Sequence, residues 1–403
     1  MINWTLHLPV PVEFGAGSLN QLGKYLGDSC KAVLVTGRRA MQAAGVTDRI
    51  CRNVAEAGGK VCVVNTISPE PNYDEIELAA DQARQFGAEL VIGCGGGSAL
   101  DAAKAVAVAA THPGPIMDYV MGGPRQITSA TLPVVAISAT SGTGSHVGRA
   151  AVLSDRARKL KRALISDSLY PRVAICDAEI LRTMPPKVTA VAGFDAFAQA
   201  LEGYLSRADN PMGKVCAQEA MRVIYRALPE AIQRGDDLDL RSQMAWGDTL
   251  AGISLATNAI ITPHSFSMVL GGRYGITHGC AIASVMAACL EHSRPGAVGT
   301  LAHVARLLGC DRPGSDDDLA DWTIDAIERF IASMDLGRSV VEYGVPEADF
   351  AEIARQVRAG FAMRVEADPV PADVEGLIRI LHRSVERWAS YGERAAKSNP
   401  CEE

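Results

Sequence analysis

The sequence lacks the features that mark several large classes of protein. Its ten cysteines include no Cys-x-x-Cys pair, which argues against a disulfide frame or a zinc ribbon and favours a reducing compartment. The formal net charge is −7 at pH 7, which argues against nucleic acid or an anionic membrane surface as the main partner. No apolar run reaches membrane-spanning length, since even Ser284–Leu290 is short and rich in alanine. The chain does not begin with basic residues ahead of an apolar core, so we expect no signal peptide and a cytoplasmic protein.

The most distinctive stretch is Leu90–Ala110, in which an apolar run meets a cluster of glycines. Leu90–Ile92 is predicted to be a buried strand, and four of the next five residues are glycine. Because glycine costs backbone entropy, this cluster is typical of a backbone that approaches a ligand closely. Ser98 and Asp101 have the spacing of a helix capping box, ahead of helix-forming sequence. The pattern predicts an anion site at a helix N-terminus, although an ordinary tight turn between strand and helix has the same pattern.

The first part of the chain alternates predicted strands with predicted helices such as Tyr73–Phe86. This alternation predicts a doubly wound parallel sheet that binds ligands at the carboxyl ends of its strands. Helical patterns alone follow Met184, so we predict an α/β domain over residues 1–185 and an all-helical domain over 186–403. The predicted strands are Val10–Phe14, Ala32–Val35, Val61–Val64, Leu90–Ile92, Leu132–Ile137 and Val173–Cys176, and the later helices are Thr189–Tyr204, Ala217–Arg234, Gln243–Thr257, Asp317–Met334, Asp349–Gly360 and Val374–Tyr391.

A second glycine stretch, Thr140–Ser145, follows the strand predicted to end at Ile137. Hydroxyl side chains among glycines provide several hydrogen-bond donors on a flexible backbone, which suits a nicotinamide ribose or a diphosphate. A plain surface loop would have the same composition. Two such stretches at the ends of parallel strands favour a dinucleotide site.

Five motifs together resemble the iron-containing (group III) alcohol dehydrogenase family. The resemblance covers nearly the whole chain and implies a dehydroquinate synthase-like architecture: an N-terminal dinucleotide-binding domain, a C-terminal helical domain and a catalytic cleft between them. It also implies NAD(P)-dependent interconversion of alcohols with aldehydes or ketones, by a homodimer or a larger homo-oligomer. The motifs are VEFGAGSL (Val12–Leu19), GGGSALDAAK (Gly95–Lys104), TSGTGS (Thr140–Ser145), PRVAICDAEIL (Pro171–Leu181) and GGRYGITHG (Gly271–Gly279).

The resemblance places the cofactor diphosphate on the first glycine stretch and the nicotinamide half along the second. Cofactor choice is predicted from the end of the second strand, where Thr36 is followed by Gly37, Arg38 and Arg39 without a nearby carboxylate in the sequence. Since an acidic residue there would repel a 2′-phosphate and arginine would bind it, we predict NADP(H) over NAD(H). The full set of predicted cofactor residues is Gly37, Arg38, Arg39, Gly95, Gly96, Gly97, Ser98, Asp101, Thr140, Ser141, Thr143, Ser145, Lys161 and Leu181.

The expected metal site is assembled from distant segments. Asp195, Gln199 and Glu202 fall on one face of a predicted helix. The family places a divalent metal on an Asp, a His one helical turn later and two further His residues, and Asp195, His264 and His278 match three of these four positions. Gln199 stands at the fourth, where an amide oxygen is a weaker ligand for Fe²⁺ or Zn²⁺ than imidazole. Two further departures from the family are Met268 in place of a His near the nicotinamide and His146 in place of a Glu after the threonine-rich loop.

The resemblance implies the reversible reduction of a small aldehyde or ketone, with the metal as Lewis acid. The predicted catalytic residues are His264, His278 and His146, with a proton delivered by water, by the ribose hydroxyl, by His146 or by His278. Arg149 and Arg273, with His146, are predicted to suit an anionic aldehyde such as phosphonoacetaldehyde. Two alternatives remain: a metal-free reductase of the maleylacetate reductase type, with His264 or His278 as the electrophilic group, and a lyase like dehydroquinate synthase.

Overall fold

The computed structural model describes residues 3–27, 29–156 and 160–397. Within these residues, eight strands lie in the first half of the chain: β1 Val12–Phe14, β2 Lys31–Gly37, β3 Lys60–Ile67, β4 Leu90–Gly95, β5 Val134–Ser138, β6 Ala150–Asp155, β7 Leu160–Ile165 and β8 Val173–Cys176. The helices are α1 Ala40–Ala43, α2 Val46–Glu56, α3 Tyr73–Phe86, α4 Gly97–Ala109, α5 Ala178–Leu181, α6 Pro186–Leu205, α7 Pro211–Gln233, α8 Leu238–Thr257, α9 Thr262–Tyr274, α10 His278–Ser293, α11 Val298–Leu307, α12 Asp316–Ser333, α13 Phe350–Gly360, α14 Ala362–Glu366, α15 Val374–Ala389 and α16 Tyr391–Lys397.

Six of these strands form one parallel sheet in the order β1-β8-β5-β4-β2-β3. Alternate side chains of β2 enter different cores: Val33 and Val35 pack with α3 and α4, whereas Ala32 and Leu34 pack with α2 on the opposite face. Helices therefore cover both faces, and the predicted doubly wound sheet is confirmed. The chain turns outward from β2 to β3 and then returns to β4, so the ends of β2 and β4 flank the crevice where such sheets bind ligands.

A hairpin of β6 and β7 was not predicted from the sequence. Alanines in β6 and basic residues in β7 give both strands a weak β preference. The hairpin instead depends on tertiary burial, because Ala151, Leu153 and Leu164 are buried beside α4.

The predicted capping box at the start of α4 is wrong. The helix begins at Gly97 with Gly96 as its N-cap, and no side chain caps it. Ser98 Oγ instead accepts the backbone N–H of Glu70 at 3.2 Å. Asp101 accepts hydrogen bonds from Ser145 and Val152, which lie outside the helix. The amide groups at this helix end are thus left without a side-chain cap, as an anion-binding end requires.

The C-terminal part, from α6 onward, is helical and packs around one large apolar core. Helices α9, α10 and α11 were missed. In α10 nearly every side chain is buried, so the helix has no polar face and gives no amphipathic period. Helix α9 begins at Thr262-Pro263, and proline is favoured in a first helical turn. Within the described residues, no helix is long and apolar enough to cross a lipid bilayer.

Candidate active site

The two glycine stretches lie against each other at the ends of the neighbouring strands β4 and β5. A Cβ atom on Gly96 would come within 3.1 Å of Thr140, and one on Gly97 within 2.6 Å of Thr143. The packing of the two loops therefore disfavours a side chain at Gly96 and, more strongly, at Gly97. The contact brings most of the predicted cofactor residues to one place, and their binding role remains a prediction.

A fully buried lysine, missed by sequence reasoning, fastens these loops together. Lys104 Nζ donates to the backbone oxygens of Ser145 (2.7 Å), Gly148 (2.8 Å) and Ala150 (2.9 Å). Asp101, one turn earlier in α4, accepts Ser145 Oγ–H at 2.7 Å and the N–H of Val152 at 2.9 Å. Both side chains thus bind protein groups, and in this state they brace the second glycine stretch.

The turn after β2 contains a carboxylate that the sequence order conceals. Arg38 Nε donates to the oxygen of Thr66 at 3.3 Å, and its Nη2 lies 3.5 Å from Glu75 Oε1. The expectation that no carboxylate reaches this turn is therefore wrong, because Glu75 comes from α3. Glu75 also accepts the N–H and Oγ–H of Ser68. Gly37 has open space on its Cβ side, with Ile67 O at 3.9 Å, and Arg39 is exposed.

The remaining predicted cofactor residues differ in their surroundings. Lys161 Nζ is bound to Glu70 Oε1 at 2.6 Å and is largely shielded. The buried Ser141 Oγ has no hydrogen-bond partner. Leu181 is buried at the end of α5 in a small apolar cluster with Met184 and Ala245.

Three of the predicted metal ligands converge from three helices. Asp195 on α6, His264 on α9 and His278 on α10 each offer one donor atom, and these atoms lie within 4.8 Å of one another. Asp195 Oδ1 is 3.3 Å from His264 Nε2 and 3.7 Å from His278 Nε2. The side chains of Asp195 and His264 are 6% and 3% exposed, whereas that of His278 is 32% exposed. The cluster is therefore open on the His278 side.

A buried carboxylate orients His264. Its Nδ1 lies 2.5 Å from Glu202 Oε1, and Glu202 Oε2 accepts the N–H of Ile261 at 2.8 Å. Because a carboxylate accepts hydrogen bonds, Nδ1 carries the proton and Nε2 faces Asp195. Burial opposes a charge on His264, but the carboxylates of Glu202 and Asp195 outweigh it and raise its pKa to about 9. The sequence placed Glu202 on the correct helix face without showing its partner.

The donor set fits a divalent cation. Two donors of a tetrahedral site with bonds of about 2.1 Å lie about 3.4 Å apart, which is close to the separations at Asp195. His264 Nε2 is buried and has no partner with hydrogen-bond geometry, as expected of an atom reserved for a ligand. A carboxylate and two imidazoles are donors suited to Fe²⁺ or Zn²⁺.

Gln199 faces this cluster. Its Nε2 donates to the oxygen of Gly142 at 3.2 Å and to Asp195 Oδ1 at 3.3 Å, while its Oε1 is buried without a partner. The end of this side chain is therefore as far from Asp195 Oδ1 as His264 Nε2 is. Rotation of the amide about its last bond would exchange the oxygen for the nitrogen at this position.

His146 lies in a different environment. Its Nε2 is 3.0 Å from Thr249 Oγ1, and its Nδ1 is 3.8 Å from Asp248 Oδ2, both on α8. Burial, together with the charge of Lys104, lowers its pKa to about 4. The ring is thus neutral and packed against α8 rather than against the three donors, and its catalytic role remains a prediction.

The cations predicted to suit an anionic aldehyde are already paired. Arg149 binds Asp167 at 2.5 Å on the surface. Arg273 Nη2 lies 3.3 Å from Asp349 Oδ2. Each guanidinium already has a carboxylate partner in this arrangement, and the role of these arginines toward a substrate remains a prediction.

Two sequence models match the chain over most of its length. One, described as iron-containing alcohol dehydrogenase, matches residues 9–178, and the C-terminal model of the same family matches residues 189–385. The chain belongs to the iron-containing alcohol dehydrogenase family. It is an NAD(P)-dependent enzyme of the alcohol dehydrogenase or aldehyde reductase type, and its family uses NAD(P) and a divalent metal.

Members of this family that resemble the chain differ in cofactor and substrate. It is 29% identical to the NAD-dependent methanol dehydrogenase of Bacillus methanolicus over 94% of this chain and 99% of that one. It is 30% identical to the NADPH-dependent butanol dehydrogenase of Clostridium saccharobutylicum over 85% and 87% of the two chains. The structure of sulfoacetaldehyde reductase from Bifidobacterium kashiwanohense in complex with NAD⁺ matches with a TM-score of 0.84 at 26% identity, covering 96% of this chain and 99% of that one.

Proposed function

We propose that this enzyme reversibly reduces a small aldehyde to its alcohol with NADPH, using Fe²⁺ or Zn²⁺ held by Asp195, His264 and His278. The observation that supports the proposal most is the three-donor cluster, with its ligand-like separations and its unpartnered His264 Nε2. Gln199 Oε1 is the proposed weak fourth donor, reached by rotation of the amide.

The chain's own groups prepare this site for carbonyl chemistry. When bound, the cation supplies a Lewis acid for the substrate carbonyl and the nicotinamide supplies the hydride. Asp195 provides the negative charge that retains the cation. Glu202 holds the proton on His264 Nδ1, and Ser267 Oγ, 3.1 Å from His278 Nδ1, orients the second imidazole. The exposed His278 side gives water a route to the cluster, where it can deliver the proton that the alcohol product needs.

Metal analysis combined with turnover tests the proposal. Protein purified without chelator is expected to contain about one Fe²⁺ or Zn²⁺ per chain. It should oxidise NADPH in the presence of a short-chain aldehyde, which is measured as a fall in NADPH absorbance. Removing the metal should abolish turnover, and adding it back should restore it. Full activity with no metal would support the metal-free reductase instead. Binding of NADPH without any net absorbance change on an aldehyde panel would contradict a reductase of either kind.

Replacing Gln199 with His is expected to tighten metal binding by about tenfold or more, because imidazole is a stronger ligand than an amide oxygen. A competitive titration with a chromogenic chelator measures the change. Gln199→Leu, of similar volume and without a donor, is the opposing control and should bind metal no more tightly than the wild type. If the histidine variant holds metal no better than the leucine variant, position 199 does not contribute a ligand.

For the cofactor, Gly37→Asp is expected to lower kcat/KM for NADPH by at least about tenfold, since a carboxylate beside the adenosine ribose repels a 2′-phosphate. The proposal of NADPH preference rests on the open space at Gly37 and on the exposed Arg39. Arg38→Gln and Arg39→Gln show which arginine binds the phosphate. A wild type that uses NADH as well as NADPH with the same aldehyde would contradict the preference.

A further inference from the structure

Arg364, on the short helix α14, is a half-buried cation whose side chain has no hydrogen-bond partner among the described residues. Its Nη1 is buried and makes no hydrogen bond, and the guanidinium stacks 5.2 Å from the centre of the Phe361 ring. No carboxylate among the described residues lies within 4.0 Å of it. The two most buried arginines of the fold are satisfied: Arg241 donates to three oxygens, and Arg387 pairs with several carboxylates. An unsatisfied guanidinium of this kind indicates a missing acceptor.

Helix α14 is held close to the metal donors. It packs against α9, the helix that carries His264. Asp368, just beyond α14, accepts Thr262 Oγ1–H and Ser293 Oγ–H, each at 2.6 Å. Since Thr262 is the first residue of α9, these bonds fix the segment that follows Arg364 at the N-terminal end of that helix.

Lys161 is another cation that reaches α9, since its Nζ would lie 3.1 Å from a Cβ atom on Gly271. Lys161 is already bound to Glu70 at 2.6 Å. Arg364 forms no such ion pair with any of the described residues, so its guanidinium remains available to an anion.

We propose that Arg364 binds an anionic group of the substrate, so that the preferred substrates are small aldehydes carrying a carboxylate, sulfonate or phosphonate. The inference rests on the proposed aldehyde reductase activity. A guanidinium presents parallel N–H donors that match the oxygens of these groups. The anion would satisfy Arg364 while the carbonyl of the same molecule faces the three donors, which orients the substrate in the cleft.

Matched pairs of aldehydes test the charge preference. Sulfoacetaldehyde and phosphonoacetaldehyde are compared with the uncharged tert-butylacetaldehyde of similar shape, and succinic semialdehyde with its methyl ester. The wild type should favour the charged member of at least one pair in kcat/KM. Arg364→Met should lower kcat/KM for that substrate by about 30-fold, the size expected for a charge-assisted hydrogen-bonded contact. The same variant should change kcat/KM for the uncharged member by less than about threefold, and this retained activity also shows that the variant folds.

Two further variants sharpen the result. Arg364→Lys keeps the positive charge but loses the parallel N–H donors of the guanidinium, so it should retain part of the preference for charged aldehydes. Arg273→Met removes the α9 cation that is paired with Asp349 and should leave the preference unchanged. The inference is overturned if the wild type favours the uncharged members, or if Arg364→Met lowers both members of a pair equally.

A binding measurement separates this inference from the proposed activity. Butyrate, ethanesulfonate and ethylphosphonate carry the anion without a reactive aldehyde, and butyramide is the uncharged control. Calorimetry should show that at least one anion binds the wild type more tightly than butyramide does and that Arg364→Met loses this binding. Anion binding without turnover on any aldehyde would support the Arg364 site and contradict the reductase proposal. Turnover of aldehydes without a charge preference and without anion binding would support the reductase proposal and contradict the Arg364 site.

Discussion

Asp195→Ala is expected to lower aldehyde reduction by about a thousandfold and to remove bound metal, while NADPH binding stays within about threefold of the wild type. Asp195 is the one anionic member of the three-donor cluster, and its Oδ1 lies 3.3 Å and 3.7 Å from the Nε2 atoms of the two imidazoles. Without it, two imidazoles and an amide, none of them anionic, remain to hold a doubly charged ion. Loss of the group that fixes a catalytic charge has an effect of this order.

Metal content, steady-state rates and cofactor titration on the same preparations measure this result. Asp195→Asn keeps the volume and one oxygen acceptor but not the charge, and it should fall between alanine and wild type in metal retention. Wild-type protein from which a chelator has removed the metal shows the effect of metal loss without a mutation. The assignment is wrong if Asp195→Ala retains metal and activity, or if it loses NADPH binding as completely as it loses turnover.

Lys104→Met should destabilise the protein by about 3 kcal/mol or more, which is large against the net stability of a domain. Three backbone oxygens in the loop and hairpin would lose the charged donor that Lys104 provides, and Asp101 would lose the cation one turn away. We also expect weaker NADPH binding, because Ser145 belongs to the second glycine stretch. Denaturant unfolding followed by fluorescence, with a parallel NADPH titration, checks both effects.

Lys214→Met is the matched control for this change. Lys214 pairs with Asp209 at the surface, so its loss should alter the free energy of unfolding by less than about 1 kcal/mol. Replacing Asp101 with Asn in the Lys104→Met background should recover part of the loss, because it removes the charge left without its cation and keeps an oxygen acceptor. An unchanged unfolding midpoint in Lys104→Met would show that the lysine is dispensable.

The elements predicted well from the sequence were those with local signals. The apolar runs of the parallel strands are bounded by glycine or polar residues, and α3 has a clear amphipathic period over Tyr73–Phe86. Helix α10 escaped prediction because burial on every side removes that period. The capping box failed because Ser98 has a better partner in Glu70, which lies far away in sequence.

The residues of the candidate site likewise include some that could be predicted from the sequence and some that could not. Asp195, His264 and His278 were recognisable because their residue types and family spacing are visible in the sequence. Lys104 and Arg364 were not predicted, because their significance depends on what surrounds a charged side chain once the chain has folded. Glu75 shows the reverse error, since a carboxylate absent from the turn in sequence arrives there from another helix.

Because Asp195, His264 and His278 belong to three different helices, a cation held by all of them would act as a crosslink across the C-terminal core. Resistance to heat and protease would then follow mass action. Each tenfold rise in free metal above the dissociation constant would add about 1.4 kcal/mol to the free energy of unfolding. The melting temperature of this protein would therefore depend on the metal concentration of the buffer as well as on the amino-acid sequence.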